Sequence, residues 1–162
     1  MSHDVRAVAN FVLELAEKEG RKVTNLSINK IVFFLHSNYL IQFNRPLVSA
    51  KIEAWNYGPV FRELYKEFKQ FGDQSIKGRA QRLSASTGIL EVCELQLSEK
   101  DREYLERLAR KYIRLSPGNL ISLSHEKGGP WDQVWNHNSL SNATMRISDE
   151  LIKAWHTKAA RH

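Results

Sequence analysis

A single cysteine, Cys93, stands in a chain of 162 residues, so an intramolecular disulfide, a thiolate zinc cage and a paired-thiol redox centre are all excluded. Long apolar runs are missing too: the longest in the most hydrophobic segment is Ile31 to Leu35, and residues 1–6 carry no apolar signal core behind a basic head. Secretion and membrane spanning are therefore disfavoured, and a reducing cytoplasm is the expected compartment. The histidines His3, His36, His125, His137, His156 and His162 form no zinc spacing with a carboxylate, so no metal site is expected. Gly128 and Gly129 run into Pro130 rather than a Walker lysine, which removes the usual phosphate loop. Ser124, His125 and Glu126 spell a triad only on paper, because successive helical side chains diverge by roughly 100°. Cys93 lies in a weakly patterned apolar run and reads as a small buried hydrophobe rather than a nucleophile. No cofactor and no enzymatic activity are expected.

What is present is an ordinary globular composition, 42% hydrophobic and 26% charged, with a net charge of +6. A chain of this length buries roughly 70% of its unfolded surface, enough for a core without staples. Apolar residues at Val5, Val8, Val12 and Leu15 predict a helix over 4–19. Ile28, Ile31, Leu35 and Tyr39, broadened by Phe34 and Ile41, predict a second over 27–43 that is apolar on most sides and belongs mid-core. Residues 46–57 read as extended, Gly58 as a turn, and Pro59 as the first turn of a helix carrying Phe61, Leu64, Tyr65, Phe68 and Phe71. A brief strand is expected within Ile89 to Leu95. Ser98, Ser116 and Ser148 are N-cap signals for a long helix, a short one and a final one, with helical turns at Trp131, Val134 and Trp135 and a polar run from Asn136 to Thr144 between. The expected architecture is a single compact, mainly helical domain over 1–162, with about five helices, one or two short helical turns and room for a small β-hairpin.

Two basic clusters need weighing. Lys77, Arg79 and Arg82 sit in a stretch with no acidic residue between Gln74 and Leu90 and form a candidate basic patch. Arg107, Arg110, Lys111 and Arg114 follow Glu99, Asp101, Glu103 and Glu106, acid first and base last, as a helix dipole favours, with Glu103–Arg107 and Glu106–Arg110 as i,i+4 pairs. That order reads as a solvated helix face. Aromatic, Gly and Pro residues concentrate at Trp55-Asn56-Tyr57-Gly58-Pro59 and from His125 to Trp131, each at a helix boundary. Trp55 and Trp131 can anchor connections to the core, while the tips of Tyr57, Tyr65, His125 or Trp131 can form a partner-binding patch. Lys30, alone in an apolar helix, either snorkels or pairs with a carboxylate such as Glu53; the pairing is the favoured expectation.

Ile28-Asn29-Lys30-Ile31-Val32-Phe33-Phe34, then Ile52-Glu53-Ala54-Trp55-Asn56-Tyr57-Gly58-Pro59-Val60, then Leu123-Ser124-His125 with Pro130-Trp131 resemble the Panacea domain family, the SocA-like antitoxins. The likeness covers about residues 5–158, and its middle motif is the most specific part because five residue types must coincide. It departs from the family at Phe33, where Tyr is usual, and at Ser124, where Thr is usual. The resemblance implies a helical antitoxin that neutralises a cognate toxin, encoded by the adjacent gene, through direct binding. Lys30, Trp55, Tyr57, Gly58, Pro59, Tyr65, His125 and Trp131 are then partner-binding or motif-organising. The alternatives are an adaptor delivering the toxin to a protease and a small basic nucleic-acid binder. The second is disfavoured because the charge is diffuse and no added DNA-binding segment is expected.

Overall fold

The computed structural model describes residues 2–136 and 144–160. Chain order is α1 (Val5–Lys18), α2 (Asn25–Phe43), β1 (Ile52–Trp55), β2 (Gly58–Phe61), α3 (Arg62–Phe68) with a 3-10 turn (Lys69–Phe71), β3 (Gln81–Leu83), β4 (Leu90–Val92), α4 (Glu99–Ile113), α5 (Pro117–Ser124), α6 (Pro130–Asn136), β5 (Arg146–Ile147) and α7 (Asp149–Ala160). The protein is mainly helical, as expected, but seven helices rather than five stand among the described residues. The two extra are α5 and α6, which the sequence marks only as a short helix and a few turns. Most of the polar run after Asn136 lies outside the described residues.

The helices start where the capping chemistry puts them. Asp4 Oδ1 accepts the Arg6 amide at 2.9 Å to open α1, and the hydroxyls of Ser98, Ser116 and Ser148 accept the amides of Asp101, Asn119 and Leu151. α2 starts at Asn25, two residues before the expected boundary, because Thr24 is its cap, with Thr24 Oγ1 accepting the Ser27 amide at 3.2 Å. It ends at Asn44, whose left-handed φ of 52° closes the helix without glycine. Ile28, Ile31, Leu35 and Tyr39 are buried, and α2 runs through one contiguous apolar cluster shared with α1, α4, α5, α6 and the small sheet.

Pro59 is the principal misreading. It does not open a helix; it sits in β2, paired with Ala54 of β1, and α3 begins at Arg62. The sheet order is β2-β1-β5, so β2 is an edge strand, where a residue without an N–H leaves no ladder bond unmade. β5 pairs with β1 through Ile52–Ile147 and Glu53–Arg146. Two residues of strand, 93 and 95 positions removed from their partners, carry no local signal.

The expected small hairpin is β3–β4, with Gln81 opposite Val92. It carries Leu83, Ile89, Leu90 and Val92 exposed, while its neighbours Ala80 and Cys93 are buried. Burial raises the Cys93 thiol pKa, in keeping with an inert side chain. One buried side chain ties the hairpin down. Asn10 of α1 accepts the Ala80 amide at 2.8 Å and donates to the carbonyls of Ala80 at 3.0 Å and Cys93 at 2.9 Å. Asn10→Ala is expected to lose about 2 kcal/mol by leaving the Ala80 amide and the Cys93 carbonyl without this partner, and to raise hydrogen exchange in 80–93 above that of α2. Uniform exchange across both segments would count against this local tether.

The charged face of α4 also differs from the expected pairing. Arg110 and Arg114 reach across to Glu19, at 3.5 and 2.7 Å, instead of serving only i,i+4 partners.

Candidate functional site

The site is built on the β1–β2 turn. Trp55 and Gly58 face each other across residues 56 and 57, which places Tyr57 at the tip with 60% of its surface exposed. From below, the turn is held by polar side chains of α2. Asn29, buried in an otherwise apolar helix, accepts the Phe61 amide at 2.9 Å and donates to the Asn25 carbonyl and side-chain oxygen, both at 3.0 Å. Asn25 in turn donates to the Tyr65 carbonyl at 3.0 Å. Sequence reasoning missed both, although two asparagines four apart on a buried helix face were the available signal. Asn29→Ala is expected to lower stability by about 2 to 3 kcal/mol through the orphaned Phe61 amide, measurable as a shifted denaturant midpoint with an unchanged slope.

An aromatic chain crosses the site. Trp55 meets the Tyr65 ring edge-on, with centroids 4.9 Å apart. Its indole N–H donates to Glu53 Oε1 at 2.9 Å, while its carbonyl accepts the Trp131 indole N–H at 2.8 Å. Trp131 stacks flat on His125 at 3.6 Å between centroids. Trp131 is thus an anchor joining α6 to β1, buried rather than presented, and Pro59 and Gly58 are buried with it. Trp55 and Tyr65 are half-buried, so of the expected aromatic tips Tyr57 alone stands fully out.

Lys30 does not pair with Glu53. Glu53 Oε1 takes the Trp55 indole and the Arg62 guanidinium, at 2.9 Å each, which holds its carboxyl below the ordinary value against the opposing effect of burial. Lys30, 1% exposed, has no hydrogen bond or ion pair among the described residues, and burial alone lowers its pKa to about 8. Its ammonium lies under Gly58: a Cβ built there would come within 3.0 Å of Lys30 Cε, 3.4 Å of Nζ and 2.7 Å of Ser124 Oγ. The backbone can pass this close only because position 58 has no side chain. His125 has its pKa lowered, by burial first and then by Lys30, and its Nε2 is buried without a partner. Lys30, Trp55, Tyr57, Val60 and Tyr65 line a cavity of about 310 Å³ that Asp73 also borders.

The basic residues lie elsewhere. Arg79 pairs with Glu17, and Arg82 approaches Asp4 at 3.7 Å and Glu91 at 3.6 Å; Lys77 is exposed. Glu17 of α1 and its N-cap Asp4 fill the gap that the local sequence shows, and none of the three bases lines the aromatic cavity. No described helix is long and apolar enough to cross a membrane.

The β1–β2 turn, Asn29 and Lys30 beneath it and the stacked His125–Trp131 pair all fall inside one matched segment: the family described as "Antitoxin SocA-like, Panacea domain" covers residues 28–132. The chain belongs to that family. The SocA antitoxin of Caulobacter vibrioides (strain NA1000 / CB15N) is 33% identical over 153 residues, spanning 94% of this chain and 81% of the relative. No solved structure matches. Within this Panacea domain the motif residues divide by physical role: Gly58, Pro59 and Trp131 are packed into the scaffold, Tyr57 is presented, and Lys30, Trp55 and Tyr65 wall the cavity between them.

Proposed function

We propose that this Panacea-domain antitoxin neutralises a cognate protein toxin, encoded by the adjacent gene, by direct binding through the β1–β2 face. The observation that carries the reading is Tyr57, 60% exposed at the tip of a turn whose flanking strands are held by the Asn29–Phe61 and Trp131–Trp55 hydrogen bonds. A rigid aromatic beside a pocket is the usual anchor of a protein interface, because it buries a large area while losing little conformational entropy. A stable complex needs about 800 Å² from each partner, and inhibition by occlusion asks for no bond making. The other expected site residues support the anchor rather than add to it. Gly58 and Pro59 shape the turn, and Trp131 and His125 brace it.

Co-expression with the product of the neighbouring gene tests the reading. Growth arrest by that product alone, relieved by this protein, is expected. Tyr57→Ala should weaken the purified complex at least tenfold, or about 1.4 kcal/mol, with no change in melting temperature. A neighbour that is harmless alone, or that stays lethal in the presence of the wild-type protein, defeats the proposal. Binding to DNA or RNA that falls steeply with added salt would favour the nucleic-acid alternative instead.

A further inference from the structure

Four side chains of the acidic and basic residue types (Asp, Glu, His, Lys, Arg) are buried among the described residues, and three are compensated. Asp101 accepts from Tyr39 at 2.7 Å and from Arg45 at 2.9 Å. His36 Nε2 meets Asp149 Oδ1 at 2.8 Å, and Asp132 accepts the Gly128 amide at 2.8 Å and the Asn136 amide group at 2.6 Å. Lys30 is the exception, with 1% exposure and no partner among those residues. A buried, unbalanced charge destabilises a fold, and an apolar side chain of the same length would fill this position in α2 better. Nothing in the packing of the domain makes use of an ammonium there.

We infer that the cavity beside Lys30 receives the carboxylate of an acidic side chain of the toxin, which supplies the counter-charge that this chain withholds. The inference rests on the β1–β2 face being the toxin-binding surface. Charge complementarity selects the occupant. One lysine, with no arginine among the lining residues, suits a single negative charge, and the walls of Trp55, Tyr57, Val60 and Tyr65 suit the methylenes behind a carboxylate. Such a mostly apolar cavity strengthens the ion pair by excluding water. Asp73, the carboxylate already bordering the cavity, is exposed and screened by solvent. His125, whose buried Nε2 has no partner, lies close enough to Lys30 to feel its charge.

The test is isothermal titration of the full-length protein with the purified product of the neighbouring gene. Lys30→Met is expected to fold, to melt no lower than wild type, and to bind about ten- to a hundredfold more weakly. One Glu→Gln or Asp→Asn substitution in the toxin should reproduce that loss and cause no further loss when combined with Lys30→Met. Wild-type affinity should also fall between pH 7 and pH 9 as the ammonium deprotonates, more steeply than that of Lys30→Met. If Lys30→Met fails to fold, the wild-type pH profile decides, and a level profile overturns the inference. Wild type and Lys30→Met binding equally well removes the carboxylate site but leaves the toxin-binding reading standing. No binding by wild type removes that reading itself. Loss traced to the toxin's terminal carboxylate, with every acidic side chain dispensable, overturns the occupant named here.

Discussion

Gly58→Ala is expected to lower stability by about 3 kcal/mol or more, which for a chain of this size shifts the thermal midpoint by on the order of 10 °C. Two separate penalties combine. Gly58 has a φ of +122°, a region that L side chains rarely adopt, and the added methyl would sit 2.7 Å from Ser124 Oγ and 3.0 Å from Lys30 Cε. α2 and α5 are both held in the core, through Ile28, Ile31 and Leu120 among others, so neither can back away without opening it. A second substitution separates the penalties. Ser124→Ala deletes the oxygen at closest approach, leaving the Ile121 carbonyl without that hydroxyl but with its helical partner. In that background Gly58→Ala should hurt about 1 kcal/mol less, the remainder being backbone strain and the Lys30 contact. Strict additivity of the two changes would show that the contact with Ser124 is not the cause.

Lys30→Met should act in the opposite direction on stability. With a folded-state pKa of about 8 against an ordinary value of 10.5, burying the charged form costs about 3 kcal/mol at pH 7. Methionine fills similar space without the charge, so a gain of about 1 to 3 kcal/mol is expected, read as a higher denaturant midpoint. The sign of the pH dependence follows from proton counting. Between about pH 8 and pH 10.5 the unfolded chain keeps the Lys30 proton that the folded chain has released, so this group makes wild-type stability rise with pH. The advantage of Lys30→Met is therefore greatest at pH 7 and shrinks towards pH 10. The hydroxyls of Tyr39, Tyr104 and Tyr112, whose pKa values are raised chiefly by burial, act in the other direction. They do so in both variants, so the difference isolates Lys30. A gap that stays constant across this range would mean that the ammonium is hydrated in the folded state. A residue that weakens the fold while strengthening a complex reflects the usual tension between stability and function.

The sequence by itself determined the elements whose causes are local. Period placed α1 and α2, and period with the Ser98 cap placed α4, to within a few residues, because an apolar stripe and a capping hydroxyl act on their own helix. Composition likewise determined that no intramolecular disulfide forms, and the motif from Ile52 to Val60 with its partners around Lys30 and His125 pointed to the family that the comparison shows. Tertiary structure decided the rest. Pro59 became strand rather than helix because β1 lay beside it, and β5 exists because β1 had a second edge. Glu53 was taken by Trp55 and Arg62, which left Lys30 alone beneath a glycine, and Glu17 and Asp4 met two of three bases in a patch that local sequence shows as free. Pairing between residues far apart in the chain depends on which of several competing partners arrives, and only the packed fold settles that competition.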